Sequence, residues 1–451
     1  MPQYNRRQCL KNLAAGTACL SPLLSARAAA LETQPKPPNI VLIISDDQAW
    51  TDYGFMGHPH IQTPALDRLA SQSVVFTRGY VAAPLCCPSL ASILTGLHPH
   101  QHKVTSNDPP YAGPGNQYNP RQWSDERRAL REQIIANFAQ HPNLAKELSG
   151  QGYRCLQTGK WWMGSYRQGG FTHGMTHGNL DQGGRHGDEG LRIGREGLQP
   201  IYDFIEQAPG DPFFVWYAPF LPHTPHNPPD RLLNQYRDKT DSLPIAKYWA
   251  MCEWFDETCG ELINYLDENG HGENTLVLYV CDNGWIQRPN QRGYAERSKR
   301  SPYEGGIRTP IMVRWPGHVQ PRRDEETLVS AIDLAPTALQ ACGLQPTQAM
   351  QGVDLLNKEA LQSRESIFAA AYTHDAVDIN QPASSLRYSV ALSQQWKLIV
   401  PSGRNDAQGA PELYNLKNDP HEKNNLAQEN PQQVSQLTSR LQQWWPPSVP
   451  S

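Results

Sequence analysis

The chain has 451 residues, 38% of them hydrophobic, and a formal charge of -4 at neutral pH. That length and apolar content support a large core shared by one major and one smaller domain, and they exclude a disordered chain. The slight acidity leaves no electrostatic footprint for nucleic acid, and no run approaches the roughly 18 consecutive apolar residues of a membrane span.

Residues 1–28 read as an export signal: Arg6 and Arg7, an apolar stretch from Leu13 to Leu24, and Ala26-Arg27-Ala28 as a small-x-small cleavage site. The twin arginines before Leu10 and Lys11 point to twin-arginine export into the periplasm or medium, with an ordinary secretory signal as the alternative. Cleavage would remove Arg6, Arg7, Lys11 and Arg27 and no acid, which takes the charge from -4 to -8. A polyanionic ligand would therefore need a local basic pocket. Seven of the nine cysteines lie beyond the signal, without disulfide-framework or zinc-finger spacing. Cys155, Cys281 and Cys342 sit in apolar runs and are expected to be core thiols.

Continuous apolar runs at Asn39–Ile44, Phe213–Tyr217 and Thr275–Cys281 have the character of strands buried on both faces. Helical patterns at Pro64–Ser71, Leu198–Gln207 and Ile245–Glu268 lie between or beside them. This alternation predicts an α/β fold with a central, largely parallel sheet flanked by helices over residues 38–365. A smaller C-terminal α+β subdomain is expected over 366–451. Its antiparallel sheet would include Tyr388–Leu392 and Trp396–Val400, followed by a helix at Gln432–Trp445. Residues 103–125 and 163–195 read as inserted loops, candidates for a substrate rim.

In a parallel sheet, ligands gather beyond the carboxyl ends of the strands. Asp46 and Asp47 follow the first run and Asp282 and Asn283 the third, so the topology brings them together. Their oxygens suit a hard divalent cation, calcium or magnesium. Pro88 fits the first turn of a helix, which places Cys86 at a helix N-terminus, where partial positive charge favours an anionic oxygen or thiolate. His173, His177 and His186 lie among glycines beside Arg185, where zinc or a sulfated sugar are the alternatives. His98, His100 and His102 invite the same question, with His102 the rim candidate.

The ordered set of motifs resembles the sulfatase family over residues 38 to 428. It comprises Cys86-Cys87-Pro88-Ser89-Leu90, Thr95-Gly96, Gly159-Lys160-Trp161, Pro222-His223-Thr224-Pro225, Lys299 before Tyr303-Glu304-Gly305-Gly306, and Glu412-Leu413-Tyr414-Asn415-Leu416. The stretch from Leu85 to His102 is most similar to sulfatases acting on sulfated glycosaminoglycans. The resemblance implies that a formylglycine-generating enzyme oxidises Cys86, rather than Cys87, to formylglycine. It also implies a calcium ion held by Asp46, Asp47, Asp282, Asn283 and the modified Cys86. The formylglycine hydrate would present one hydroxyl for attack on sulfur and a second whose later deprotonation expels sulfate.

Lys160 and Lys299 would clamp sulfate oxygens, with Arg300 the rival of Lys299. His223, with His226 as the alternative, would protonate the leaving alcohol. Two positions depart from the pattern: Leu90 stands where the motif has Arg, and Trp162 where it has His. The expected function is hydrolysis of sulfate esters, on a sulfated carbohydrate. The competing readings are a sulfated-glycan binder without turnover and a phosphate or phosphonate ester hydrolase of the same superfamily.

Overall fold

The computed structural model describes residues 36–111 and 118–450, and Pro38–Ser451 form one unit. The expected export signal lies outside the described residues, as does part of the first expected loop. Nine strands build the main sheet: β1 (Asn39–Ser45), β2 (Val74–Tyr80), β3 (Arg154–Gly159), β4 (His173–Gly174), β5 (Phe213–Ala218), β6 (Thr275–Cys281), β7 (Arg308–Arg314), β8 (Arg322–Asp324) and β9 (Val329–Ser330). The order is β4-β3-β5-β1-β6-β7-β2-β8, with β9 beside β2. All pairings are parallel except those of β7 with β6 and β2.

Strand β1 shows why the run is apolar throughout. Ile40, Leu42 and Ile44 pack on one face, against Leu90, Ile93 and Leu94 of the helix Cys86–Thr95. Val41 and Ile43 pack on the other, against Leu66 and Leu69 of the helix Pro64–Ser71 and Met251, Phe255 and Leu262 of the helix Leu243–Glu268. A strand sandwiched in this way has no solvent side to alternate toward. Each such side chain contributes about 1.5–3 kcal/mol of burial.

Strands β10 (Ile367–Tyr372), β11 (Leu386–Ser393), β12 (Trp396–Pro401) and β13 (Glu412–Asn415) form a separate antiparallel sheet. The helix Pro431–Trp444 closes it, with Leu437 and Leu441 packed on Ala391, Leu398, Val400 and Leu413. This sheet is tied to the main one by charge. Lys397, with no solvent exposure, lies 3.0 Å from Glu304 and 2.8 Å from Glu422. The Glu422 carboxylate also accepts the Glu304 amide at 2.6 Å, and Tyr303 donates to Glu412 at 3.0 Å. The turn Glu304–Ile307, which leads into β7, is thus clamped by the second sheet.

Two expectations are corrected. Cys155 and Cys281 are core thiols, but Cys342 is only half-buried, 3.0 Å from the Tyr153 hydroxyl. The segment 163–195 is not an open loop: it contributes β4, and its backbone bonds repeatedly to itself and to β3.

Removing a buried cation leaves its carboxylates uncompensated, so Lys397→Ala should cost about 3–5 kcal/mol in urea denaturation. A loss below about 1 kcal/mol, the value of an exposed pair, would show that the clamp is not held by charge.

Candidate active site

Four neighbouring strands, β3, β5, β1 and β6, deliver the site from their carboxyl ends. β3 ends at Gly159, immediately before Lys160. Gly159 has φ +73°, and a Cβ there would meet the Ala218 carbonyl oxygen at 1.8 Å, so only glycine lets β3 and β5 close together. The Lys160 amide then bonds that same carbonyl at 2.7 Å. Beyond β5 the chain continues to His223, between two cis prolyl bonds, Leu221-Pro222 and Thr224-Pro225. β1 ends at Asp46 and Asp47, and β6 at Asp282 and Asn283. Asp47 adopts a left-handed conformation, φ +66°, with its amide bonded to Asp282 Oδ1 at 3.1 Å. For a residue other than glycine, that backbone costs roughly 1–3 kcal/mol unless its surroundings hold it.

The side chains converge. Lys160 Nζ lies 2.6 Å from Asp46 Oδ1 and 3.8 Å from Asp282 Oδ2. Lys299 Nζ lies 2.5 Å from Asp47 Oδ1 and 3.1 Å from the Cys86 sulfur. Asn283 donates to Asp47 Oδ1 at 2.7 Å, and His223 Nε2 stands 3.3 Å from Asp47 Oδ2. Asp46, Asp47, Cys86 and His223 each place one ligand atom within 4.8 Å of the others. All eight residues expected from the sequence therefore meet at one place. His223, expected only as an acid, also falls inside this group of ligand-type side chains.

Burial governs the titration of these groups. It raises the Asp46 carboxyl well above its ordinary range, Lys160 opposing and Asp282 and Asp47 adding to it. Asp282 is raised for the same first reason. At Asp47 burial acts upward too, but Lys299, His223 and Lys160 outweigh it and hold the carboxyl low. The Cys86 thiol is pushed up to about 12 by burial, against the pull of Lys160 and Lys299, so unmodified Cys86 is no thiolate at neutral pH. Burial, then Lys160, drives His223 well down. Its Nδ1 faces the Thr224 carbonyl at 2.7 Å, and a carbonyl only accepts, so Nδ1 carries the proton and Nε2 faces the site.

The fit to a cation rests on unused acceptors. Asp46 Oδ2, Asp47 Oδ2, Asp282 Oδ2 and Asn283 Oδ1 are buried and accept no hydrogen bond. Buried acceptors left bare are costly, and an oxygen-seeking divalent ion supplies what they lack.

The rivals separate in space. Lys299 enters the cluster, whereas the Arg300 amide bonds Pro84. Cys87 turns toward Asn107, which accepts its amide at 2.9 Å. His102 is no rim residue: it is fully buried, 3.0 Å from Ser92 Oγ, and its Nδ1 accepts the Val104 amide. His98 and His100 pack on Trp444. The three loop histidines do not converge. His173 lies against Phe204 and His177 against Tyr166, and only His186 approaches the site.

Sequence reading missed the organiser of that approach. The Phe220 ring stacks on His223 at 4.3 Å, carries Lys160 Nζ at 5.6 Å and meets His186 at 5.6 Å. The Trp161 amide bonds the His186 carbonyl, and Trp162 packs 5.3 Å from the His186 ring. An imidazole from the loop thus flanks Trp162, the position lacking one. An aromatic two residues before the Pro-His-Thr-Pro stretch was the available signal. Asp108, His374 and Asp375 form a second group of ligand-type side chains, but Arg185 grips Asp108 with both prongs of its guanidinium, which marks an ion pair rather than a metal centre.

Comparison with known proteins identifies relatives in sequence and in fold. The family model described as Sulfatase matches residues 38–344, and that of the N-sulphoglucosamine sulphohydrolase C-terminal region matches 293–445. N-acetylgalactosamine-6-sulfatase of Rattus norvegicus is 30% identical over 382 residues, covering 75% of this chain and 68% of that protein. A protein solved in complex with its substrate D-glucosamine-2-N,6-O-disulfate superposes with TM-score 0.71 at 20% identity, over 92% of this chain and 98% of that one. Another, Ps i-CgsB, solved with a neocarrahexaose, gives 0.70 at 24% identity, over 91% and 93%.

If the bare oxygens hold a cation, calcium should stabilise the metal-stripped protein by about 2.7 kcal/mol at a hundredfold excess over Kd. Asp282→Ala should abolish both this gain and the bound-metal content measured by atomic emission. Undiminished calcium in that variant would remove Asp282 from the ligand set.

Proposed function

The chain belongs to the sulfatase family and is a sulfuric ester hydrolase; on that premise we propose that it cleaves sulfate esters of sulfated glycans, with Cys86 as the precursor of a formylglycine nucleophile and calcium as the bound ion. The observation that carries this reading is the set of bare oxygens facing Cys86 between two buried lysines. Fully ionised, Asp46, Asp47 and Asp282 against Lys160 and Lys299 sum to -1, which repels a sulfate ester. One divalent cation reverses the sign. Asp46, Asp47, Asp282 and Asn283 would hold that ion together with the modified Cys86, and magnesium is its physical alternative. The aldehyde hydrate supplies the oxygen nucleophile that a thiol lacks, and calcium supplies positive charge to orient it and to offset charge on the sulfate.

The chain's own groups do the rest. Lys160 and Lys299, both kept protonated by neighbouring carboxylates after burial has opposed it, bind the sulfate oxygens and the charge that grows on them. Phe220 fixes Lys160 and His223 against one ring. His223 offers Nε2 to the leaving oxygen once that nitrogen carries a proton. A formylglycine-generating enzyme is the partner that this reading requires, and twin-arginine export after folding would let that partner act in the cytoplasm first. The domain division at residues 365 and 366 belongs to the same proposal.

A second reading, glycan binding without turnover, is favoured by Leu90, sealed in the core, and by Trp162. Mass spectrometry of the Cys86 peptide from a native host should show the aldehyde. Complete retention of the thiol beside a competent maturing enzyme would count against catalysis. Turnover separates the readings further: Cys86→Ala should release no sulfate yet keep most ground-state binding. Lys299→Ala should lower the release rate by roughly 10²–10³-fold with a far smaller change in affinity. A binder would instead lose affinity in Lys299→Ala and never release sulfate.

A further inference from the structure

Next to the reaction centre lies a cleft of about 850 Å³ whose walls include Thr224, His226, Lys247, Trp285, Arg292 and Tyr294. That volume is in the range of sites that enclose a small ligand. Two relations place it beside the site. Thr224 directly follows His223 in the chain, and the Trp285 ring lies 5.8 Å from Lys299 Nζ. Its aromatic wall is consolidated, with Trp285 5.1 Å from Tyr294 and 5.8 Å from His226.

The charge of the cleft departs from that of the chain. Acids outnumber bases overall, 44 to 40, yet no carboxylate lines this cleft. Lys247 and Arg292 both line it, and neither has an acidic partner within 4.0 Å among the described residues, where Lys160 and Lys299 both do. His226 Nε2 is buried there without a hydrogen bond. A concave surface of one sign concentrates ligands of the other, and flat aromatic faces suit the C–H faces of a sugar ring. Arg185, by contrast, is already taken by Asp108.

We propose that this cleft is a second saccharide subsite, which binds an acidic sugar adjoining the residue whose sulfate is cleaved. Lys247 and Arg292 pair with its sulfate or carboxylate, and Tyr294, braced edge-on by Trp285, offers an aromatic face to its ring. The proposal rests on the sulfated-glycan reading above and extends it: the preferred substrate is an oligosaccharide rather than a sulfated monosaccharide.

Calorimetric titration with a chondroitin 6-sulfate tetrasaccharide and with N-acetylgalactosamine 6-sulfate tests it. Wild type should bind the tetrasaccharide more tightly. The double variant Lys247→Ala/Arg292→Ala should lose about tenfold or more of that affinity, the equivalent of about 1.4 kcal/mol, with monosaccharide binding unchanged. Tyr294→Ala should do the same through stacking, and KM for the tetrasaccharide should rise while kcat holds. Equal affinity for the two ligands in wild type, no tetrasaccharide binding at millimolar concentration, or unchanged affinity in both variants with folding verified by circular dichroism would each overturn the subsite. Variant-sensitive tetrasaccharide binding without sulfate release would keep the subsite and sink catalysis. Sulfate release with variant-insensitive binding would do the reverse.

Discussion

The site depends on charges held out of water. Asp46, Asp47 and Asp282 face Lys160 and Lys299 at the carboxyl edge of the sheet, all of them buried. Desolvating an ion costs several kcal/mol in a real protein, and a pair 4 Å apart returns only about 4 kcal/mol at an effective dielectric of 20. The cluster cannot be retained for stability alone. Each charge in it has at least one opposite neighbour. Its cost is concentrated in the oxygens that accept nothing.

Rigidity at that edge comes from two sides. Phe220 gathers Lys160, His186 and His223 on one ring, so three groups from three chain segments share one support. On the other side, Lys299 is followed by a turn that the C-terminal sheet grips through Lys397, Glu412 and Glu422. Among the described residues the second sheet contributes no side chain to the central cluster, but it anchors the turn that follows Lys299, which does.

The strands β1, β5 and β6 were legible because two-sided burial writes itself as an unbroken apolar run, and their ends then located the acidic ligands. β7 was not. It runs antiparallel in the middle of the sheet and carries Pro310, a residue that normally argues against a central strand. The ladder tolerates it because the pairing with β2 shifts between Phe76 and Gly79 and because the Thr309 hydroxyl, rather than a backbone carbonyl, accepts the Cys281 amide. His102 and His186 illustrate the other limit. Residue type alone could not tell which histidine turns inward to cap Ser92 and which one a glycine-rich segment carries back to the site. Lys299 and Cys86 were legible only through their motifs, since neither sits in a periodic pattern.

The clamp between the two sheets also orders events in time. Cys86 leaves the ribosome early and ends 1% exposed at the start of a wholly buried helix, whereas Lys397 and Glu422 emerge near the end of synthesis. At roughly 5–20 residues per second the interval between them is on the order of tens of seconds. Until Lys397 and Glu422 emerge, the turn after Lys299 lacks the charged partners that hold it in the finished fold. The last eighth of the chain, which carries both groups, completes the hold on that turn.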